Sequence, residues 1–291
     1  MEGVHVTAQQ YRRARRVARL VSALALWKRK AAMEAMLRRR FGDLVEADGH
    51  LLDVDPCDRA VGARLRRRGV WSEAETALYK RELQPGMTVL DIGANIGYFT
   101  LLFARCVGSG GRVYAFEPEP HNFTLLQGNV ARSGYAWVTT LRQAVWRAAG
   151  SQRLYMNPDN LGDHRLIATG SERHSVEVPV VRLDDVFASG TDRVDFIKID
   201  VQGAEMGALQ GGQRLLTANV PLSLLTEFWP RGMRAFGDDP HEYLTMLRDL
   251  SFELSLIEPG SALRLRPIGT ASELRQLASS EREVNLFCRK K

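Results

Sequence analysis

The sequence predicts an α/β fold, a mainly parallel sheet with helices on both faces, preceded by a helical extension of different character. Three observations carry that reading. From Met87 onward, apolar runs that close on an acid alternate with helix-length stretches, the pattern of strand–helix units. The 291 residues are 45% hydrophobic and 25% charged, a composition that builds a sizeable core and excludes a disordered, collagen-like or disulfide-stapled chain. The charge is uneven: residues 1–41 hold eleven Lys and Arg against Glu2 and Glu34, a net +9 in a chain of net +6, so the remainder is slightly acidic.

Taken in order, residues 1–41 read as a basic amphipathic helix, because Val17, Leu20, Val21, Leu24, Trp27 and Ala31 recur at three- and four-residue spacing. Two uses fit it. Residues 12–40 suit a peripheral contact with anionic lipid, or the apolar stripe packs on the main domain or a second subunit with its basic face in water. The apolar run LVSALALW is far shorter than the ~20 residues a bilayer span needs, and Lys28, Arg29 and Lys30 follow it without a cleavage site. A cytoplasmic protein is expected. Cys57, Cys106 and Cys288 are widely spaced and form no C-x-x-C pair, which fits a reducing compartment and no structural zinc.

Residues 42–86 read as a hairpin and helix capping the site. Asp48-Gly49 marks a tight turn between two apolar segments. Residues 72–83 read as a helix with Ser72 as N-cap and Glu75 as the capping-box acid, stopped by Gln84-Pro85-Gly86. The third segment, 87–291, holds strands at 87–92, 112–116, 138–145, 194–199, 221–226, 252–257 and 284–289. Helices are expected from the GANIG turn through Cys106 and at 120–132, 203–217 and 239–250. An insertion near 151–181, rich in Asn, Asp, Gly and Arg, reads as a hairpin or loop.

Ligands of open α/β sheets sit beyond the carboxyl ends of the strands. Four strands close on a carboxylate there, Asp91, Glu117, Asp200 and Glu227, so the site is expected on that edge. The turn Gly93-Ala94-Asn95-Ile96-Gly97 lets backbone approach a ligand because its glycines lack Cβ. It has neither the G-x-G-x-x-G spacing of a dinucleotide fingerprint nor the Lys-Ser/Thr of a P-loop. Glu117 is placed to accept from vicinal ribose hydroxyls, while Asp91 would repel a pyrophosphate. A ribose-bearing ligand with an ammonium in place of phosphates fits both, and S-adenosylmethionine is such a ligand.

Five segments, VLDIGANIGYFTLL, GRVYAFEPEPHNFTLLQGNV, VPVVRLDDVF, VDFIKIDVQGAE and LLTEFWP, resemble consecutive motifs of the FkbM-type S-adenosylmethionine-dependent methyltransferases. The resemblance runs from about Gly49 to the C-terminus. It implies the class I, Rossmann-like methyltransferase fold with seven strands, and O-methylation of natural products or sugars. It also implies that Gly93, Ala94, Asn95 and Gly97 line the cofactor's amino-acid end, that Glu117 and Pro118 hold its ribose, and that Gln143 and Ala144 face its adenine. One departure is that Trp71 is followed by Ser72 and then Glu73, where the family often has Glu directly after the aromatic, so Glu73 does not match as a cofactor contact.

An alcohol acceptor must lose its proton, so a general base within ~3 Å of it is expected. His164 is the candidate, with Asp163 or Asp200 orienting it; the resemblance implies a site role for Asp163, His164 and Arg165 together. Asp200, Glu205 and Glu227 suggest a divalent-cation alternative, but relatives commonly carry Glu where this chain has Gln202, and no metal is expected. Glu227 and Arg165 are candidate acceptor contacts. Trp229, beside Phe228, is either a stacking wall for a ring or packing. The expected acceptor is a small molecule or glycan. A nucleic-acid methyltransferase gripping phosphates through the basic helix is the alternative, yet no basic track leads to the site, so no nucleic acid is expected. A non-catalytic cofactor-binding or membrane-docking module is a third reading.

Overall fold

The structure is a computed structural model that describes Met36 and residues 44–157, 160–168, 174–188, 193–258, 260 and 262–290. The expected basic helix within 1–41 lies outside the described residues, Met36 apart. The chain divides into two compact units, Met1–Asp43 with Asp55–Cys57, and Leu44–Val54 with Asp58–Lys291. In the first, the Cys57 N–H donates to Asp55 Oδ1 at 2.7 Å, a short local turn. Among the described residues no helix is long and apolar enough to cross a membrane.

The second unit begins with β1 (Leu44–Ala47) and β2 (His50–Asp53), an antiparallel hairpin whose turn residues Asp48 and Gly49 both have positive φ, as a two-residue hairpin turn requires. Next come α1 (Val61–Arg68) and α2 (Glu73–Glu82). Four βα elements follow: β3 (Thr88–Ile92), α3 (Tyr98–Val107), β4 (Arg112–Phe116) and α4 (Pro120–Ser133). β5 (Val138–Leu141) and β6 (Ala144–Val145) lead to the hairpin β7 (Gly150–Tyr155) and β8 (Ser175–Val181). The chain continues with α5 (Leu183–Val186), β9 (Phe196–Ile199), α6 (Glu205–Gln210), α7 (Gln213–Ala218), β10 (Leu222–Phe228), α8 (Pro230–Ala235) and α9 (Pro240–Asp249). It ends with β11 (Glu253–Ile257), β12 (Leu265–Ile268), α10 (Ala271–Ala278) and β13 (Val284–Lys290).

The large sheet has the order β12-β11-β13-β10-β9-β3-β4-β5. β10, β9, β3, β4 and β5 run parallel, and β13 inserts antiparallel between β10 and β11. This is the class I α/β arrangement, and β12 adds an eighth strand at the edge. Period-two alternation divides the core. Val89 and Phe196 pack with Tyr79, Phe99 and Phe103 on the face covered by α2 and α3, whereas Leu90, Ile92, Ile197 and Ile199 pack with Leu216, Tyr243 and Leu247 on the other. Asp91 and Lys198 share the parity of Val89 and Phe196, and they stand side by side in the β3–β9 register.

Two expected elements divide. The strand expected at 138–145 becomes β5 in the large sheet and β6 in a separate three-stranded sheet with β8 and β7. The helix expected at 203–217 breaks into α6 and α7 at Gly211-Gly212, where a Cβ on Gly211 would lie 2.2 Å from the Trp146 carbonyl oxygen. Elements α1, α5, α8, β12 and α10 are additional to those expected, and α10 opens with a complete capping box of Thr270 and Glu273. The insertion is the β7–β8 hairpin, and its connecting residues 160–166 fold back over the sheet edge that carries the strand-end acids.

Candidate active site

The carboxyl ends of β3, β4, β9 and β10, the start of α2 and the insertion enclose a cavity of about 530 Å³. Small-molecule sites span ~300–1,000 Å³, so this one admits a nucleoside-sized ligand together with part of a second molecule. Of the expected cofactor residues, Gly93, Ala94, Asn95, Glu117, Pro118, Gln143, Ala144 and Asp200 line it, as do Asp163, His164, Arg165 and Glu227. Asp91, Gly97 and Trp229 do not, and each has a physical reason. Asp91 is fully buried behind the wall; its Oδ2 accepts from Thr100 Oγ1 at 2.6 Å and its Oδ1 lies 3.3 Å from Lys198 Nζ. Gly97 takes φ +92°, which residues with a Cβ rarely adopt, and its missing Cβ faces Leu126 Cδ1 of α4 at 2.8 Å. Gly93 does line the cavity, yet its missing Cβ faces protein: at φ +81° that atom would fall 1.9 Å from the Asp200 carbonyl oxygen, so glycine lets the ends of β3 and β9 meet. The Trp229 ring covers Gly232 and carries the Arg165 guanidinium 4.3 Å above its centroid, which makes it packing rather than an open stacking wall.

At the β4 end, Glu117 is held by backbone. Its Oε2 accepts the Asn95 N–H at 2.8 Å and its Oε1 the Glu119 N–H at 2.9 Å. Burial pushes its carboxyl up to about 7, against the pull of those two N–H groups. Each oxygen keeps a further lone pair, the acceptor set that vicinal hydroxyls need. The chemistry of the wall, a backbone-held carboxyl at the β4 end with Asp200 and Glu227 beyond it, fits a ligand that brings hydroxyl and ammonium donors.

Two groups that the sequence reading passed over complete this half. Lys198 is buried, donates from Nζ to the Gly93 carbonyl at 3.0 Å, and pairs with Asp91 at 3.3 Å and Asp200 at 3.8 Å. Burial alone would depress this ammonium, but the carboxylates of Asp91, Asp200 and Glu75 outweigh it and hold the group above its ordinary value. The signal was a lysine inside the otherwise apolar strand Phe196–Ile199, beside an aspartate on the neighbouring strand. Glu75 was read as a capping acid. Ser72 does accept its N–H at 3.4 Å, but the carboxyl group lines the cavity, where burial lifts it to about 7. Glu73, by contrast, does not line the cavity and pairs with Arg68 and with the lining residue Arg64.

At the β9 and β10 ends the wiring is side chain to side chain. Gln202, at φ +55°, points its Nε2 at Asp200 Oδ1 (3.1 Å) and at both oxygens of Glu227 (3.1 and 3.2 Å). Burial and then the charges of Asp200, Glu205 and Glu283 hold the Glu227 carboxyl well above its ordinary value. Glu205 lies behind, accepting the Val201 and Gly203 N–H groups, its carboxyl lifted by burial to about 7. The Gln202 amide thus stands between two carboxyl groups, and among the described residues no group of three His, Cys, Asp or Glu is placed to hold a metal ion.

On the insertion, Asp163 accepts from Arg165 Nε at 2.5 Å and from Asn157 Nδ2 at 2.7 Å. His164 Nδ1 accepts the Asn157 N–H at 3.0 Å. With Nδ1 committed to that backbone N–H, the neutral ring carries its proton on Nε2. Asp200 lines the same cavity, with its Oδ1 accepting from Gln202 Nε2 at 3.1 Å.

The model of the Methyltransferase FkbM domain matches residues 91–254, more than half of the chain. The chain belongs to the FkbM-type S-adenosylmethionine-dependent methyltransferases. Within that similarity it is 34% identical over 160 residues to 31-O-demethyl-FK506 methyltransferase FkbM of Streptomyces tacrolimicus, covering 45% of this chain and 61% of that one. It is 31% identical over 143 residues to Methyltransferase 1 of Beauveria bassiana, covering 42% and 57%. The chain thus spans about three fifths of the length of these relatives. Among solved structures it is similar, at TM-score 0.44 and 14% identity over 75% of this chain and 79% of the other, to the O-methyltransferase TomG from Streptomyces achromogenes.

Proposed function

We propose that this chain transfers the methyl group of S-adenosylmethionine to a hydroxyl oxygen of a small natural product, sugar or glycan. The observation that supports it most is a single cavity bordered at one end by the backbone-held acid Glu117 and at the other by the side-chain cluster Asp200, Gln202 and Glu227. The similarity to an enzyme named for 31-O-demethyl-FK506 favours oxygen as the acceptor atom. When bound, the cofactor would supply a sulfonium methyl, whose carbon bonds to the acceptor oxygen in line as its C–S bond breaks and S-adenosylhomocysteine leaves. Alignment is the larger part of such catalysis. In this reading Glu117 accepts from the ribose hydroxyls, Gln143 and Ala144 border the adenine, and Glu75, within reach of the charges of Lys198 and Asp200, takes the ammonium. Asp200 accepts the hydrogen of the acceptor hydroxyl and receives its proton as the new C–O bond forms, while Gln202 keeps the carboxylate turned into the cavity. Glu227 and Arg165 shape the acceptor's surroundings.

The test is methyl-transfer mass spectrometry against a panel of hydroxylated aglycones, sugars and glycans, with Asp200→Asn in parallel. Transfer by the wild type that falls by about a hundredfold in kcat in Asp200→Asn, with cofactor binding retained, is the expected outcome. Cofactor binding without transfer to any member of the panel would favour the non-catalytic module instead.

A further inference from the structure

The loop that carries Asp163, His164 and Arg165 is tied to the cofactor turn at one atom. The Leu161 carbonyl accepts two side-chain N–H bonds, from Asn95 Nδ2 at 2.8 Å and from Asn122 Nδ2 at 2.9 Å. The Leu161 N–H is held as well, by Asp58 Oδ1 at 3.3 Å. Both asparagines lead back to Glu117. On one route the Asn95 N–H donates to Glu117 Oε2. On the other the Glu119 N–H donates to Glu117 Oε1, and the Asn122 N–H donates to Glu119 Oε2 at 2.5 Å. A closed ring of hydrogen bonds therefore joins the ribose-side carboxylate to the carbonyl that anchors the acceptor-side loop.

We propose that Asn95 and Asn122 are positioning residues that couple the two halves of the site, so that a ligand on Glu117 tightens loop 160–166 and the cofactor and acceptor strengthen each other's binding. The inference rests on the S-adenosylmethionine reading of the site. Its physical basis is that bonds in a buried network polarise one another, and that an ionised carboxylate is a stronger acceptor than a neutral carboxyl. Hydroxyl donors on Glu117 favour its ionised form, which tightens the Asn95 and Glu119 N–H bonds. Asn95 holds a left-handed backbone at φ +50°, rarely adopted by residues other than glycine, so fixing its N–H also fixes the side-chain amide that reaches Leu161. Linkage makes the coupling reciprocal.

The experiment is hydrogen exchange of the full chain, read on peptides covering 160–168, with and without S-adenosylhomocysteine, alongside calorimetric binding of the same ligand. Asn122→Asp and Asn95→Asp keep the side-chain shape and remove the donor, and Asn122→Ala is the uncharged control. In the wild type the ligand is expected to slow exchange in the loop about tenfold. In Asn122→Asp and Asn122→Ala that ligand-dependent protection disappears while the ligand still binds. A merely structural role would speed exchange equally with and without ligand. Ligand binding to the wild type with no change in loop exchange, or protection that survives in the Asn122 variants, overturns the coupling alone. Absence of binding to the wild type overturns the cofactor reading and the coupling with it.

Discussion

The two ends of the cavity are fastened by different kinds of bond. At the β3 and β4 ends, Glu117 is held by two backbone N–H groups, and the Gly93 carbonyl by the buried Lys198. At the β9 and β10 ends, Asp200 and Glu227 are held by Gln202, and on the insertion Asp163 is held by Arg165 and Asn157. A backbone donor stays wherever the fold puts it, whatever side chain follows. An amide or guanidinium is lost with one substitution. The Glu117 end is therefore the less sensitive to a single substitution, and the Asp200–Glu227 end, held through Gln202, the more sensitive.

The sharpest way to break that contrast is at the boundary of the two halves. Lys198→Met leaves Asp91 buried and uncompensated and should cost about 3–5 kcal/mol of stability in denaturant unfolding. An unchanged midpoint would show that the Asp91–Lys198 pair does not hold the two strand ends together. A smaller, pH-dependent effect comes next. The carboxyls of Glu75, Glu117 and Glu205 are lifted by burial from 4.5 to about 7. Their contribution to stability is complete below the unfolded value of 4.5 and is lost as pH rises through about 7, so the ligand-free protein should melt at a higher temperature near pH 5.5 than near pH 8. S-adenosylhomocysteine, which favours ionised Glu117, should narrow that difference, and melts with equal ligand shifts at both pH values would contradict it. The smallest effect is expected at the acceptor end. Gln202→Glu replaces a donor between two carboxylates by a third acid and should cost about 1 kcal/mol, regained with millimolar magnesium, whereas magnesium should leave the wild-type melt unchanged.

The same contrast explains how much of the site was legible in the sequence. Strand ends announce themselves by periodicity, so Glu117, Asp200 and Glu227 were located from the sequence, the family resemblance implied Gln143 and Ala144, and all five line the cavity. Spacing does not tell what a missing Cβ would meet, so the sequence assigned Gly97 to a ligand although it faces Leu126, and Asp91 to the cavity although Thr100 and Lys198 enclose it. The role of His164 depends on a backbone N–H seven residues away, Asn157, and that of Asn122 on the carbonyl of Leu161, on a loop whose return over the sheet no local pattern encodes. Lys198 was readable, since a lysine in a four-residue buried strand needs a counter-charge and Asp91 is adjacent in the register. Strand β12 and helix α10 pair with β11 and pack near α9 at the sheet's far edge, remote from the motifs that guided the reading.

The central claim, that a backbone-held carboxylate makes this cavity a cofactor site, is tested most directly by calorimetric titration of S-adenosylhomocysteine into the wild type, Glu117→Ala and Gln202→Ala. Binding at roughly micromolar strength in the wild type, weakened about a hundredfold in Glu117→Ala and within a few-fold in Gln202→Ala, is the predicted result. No binding to the wild type, or an equal loss in both variants, would contradict it.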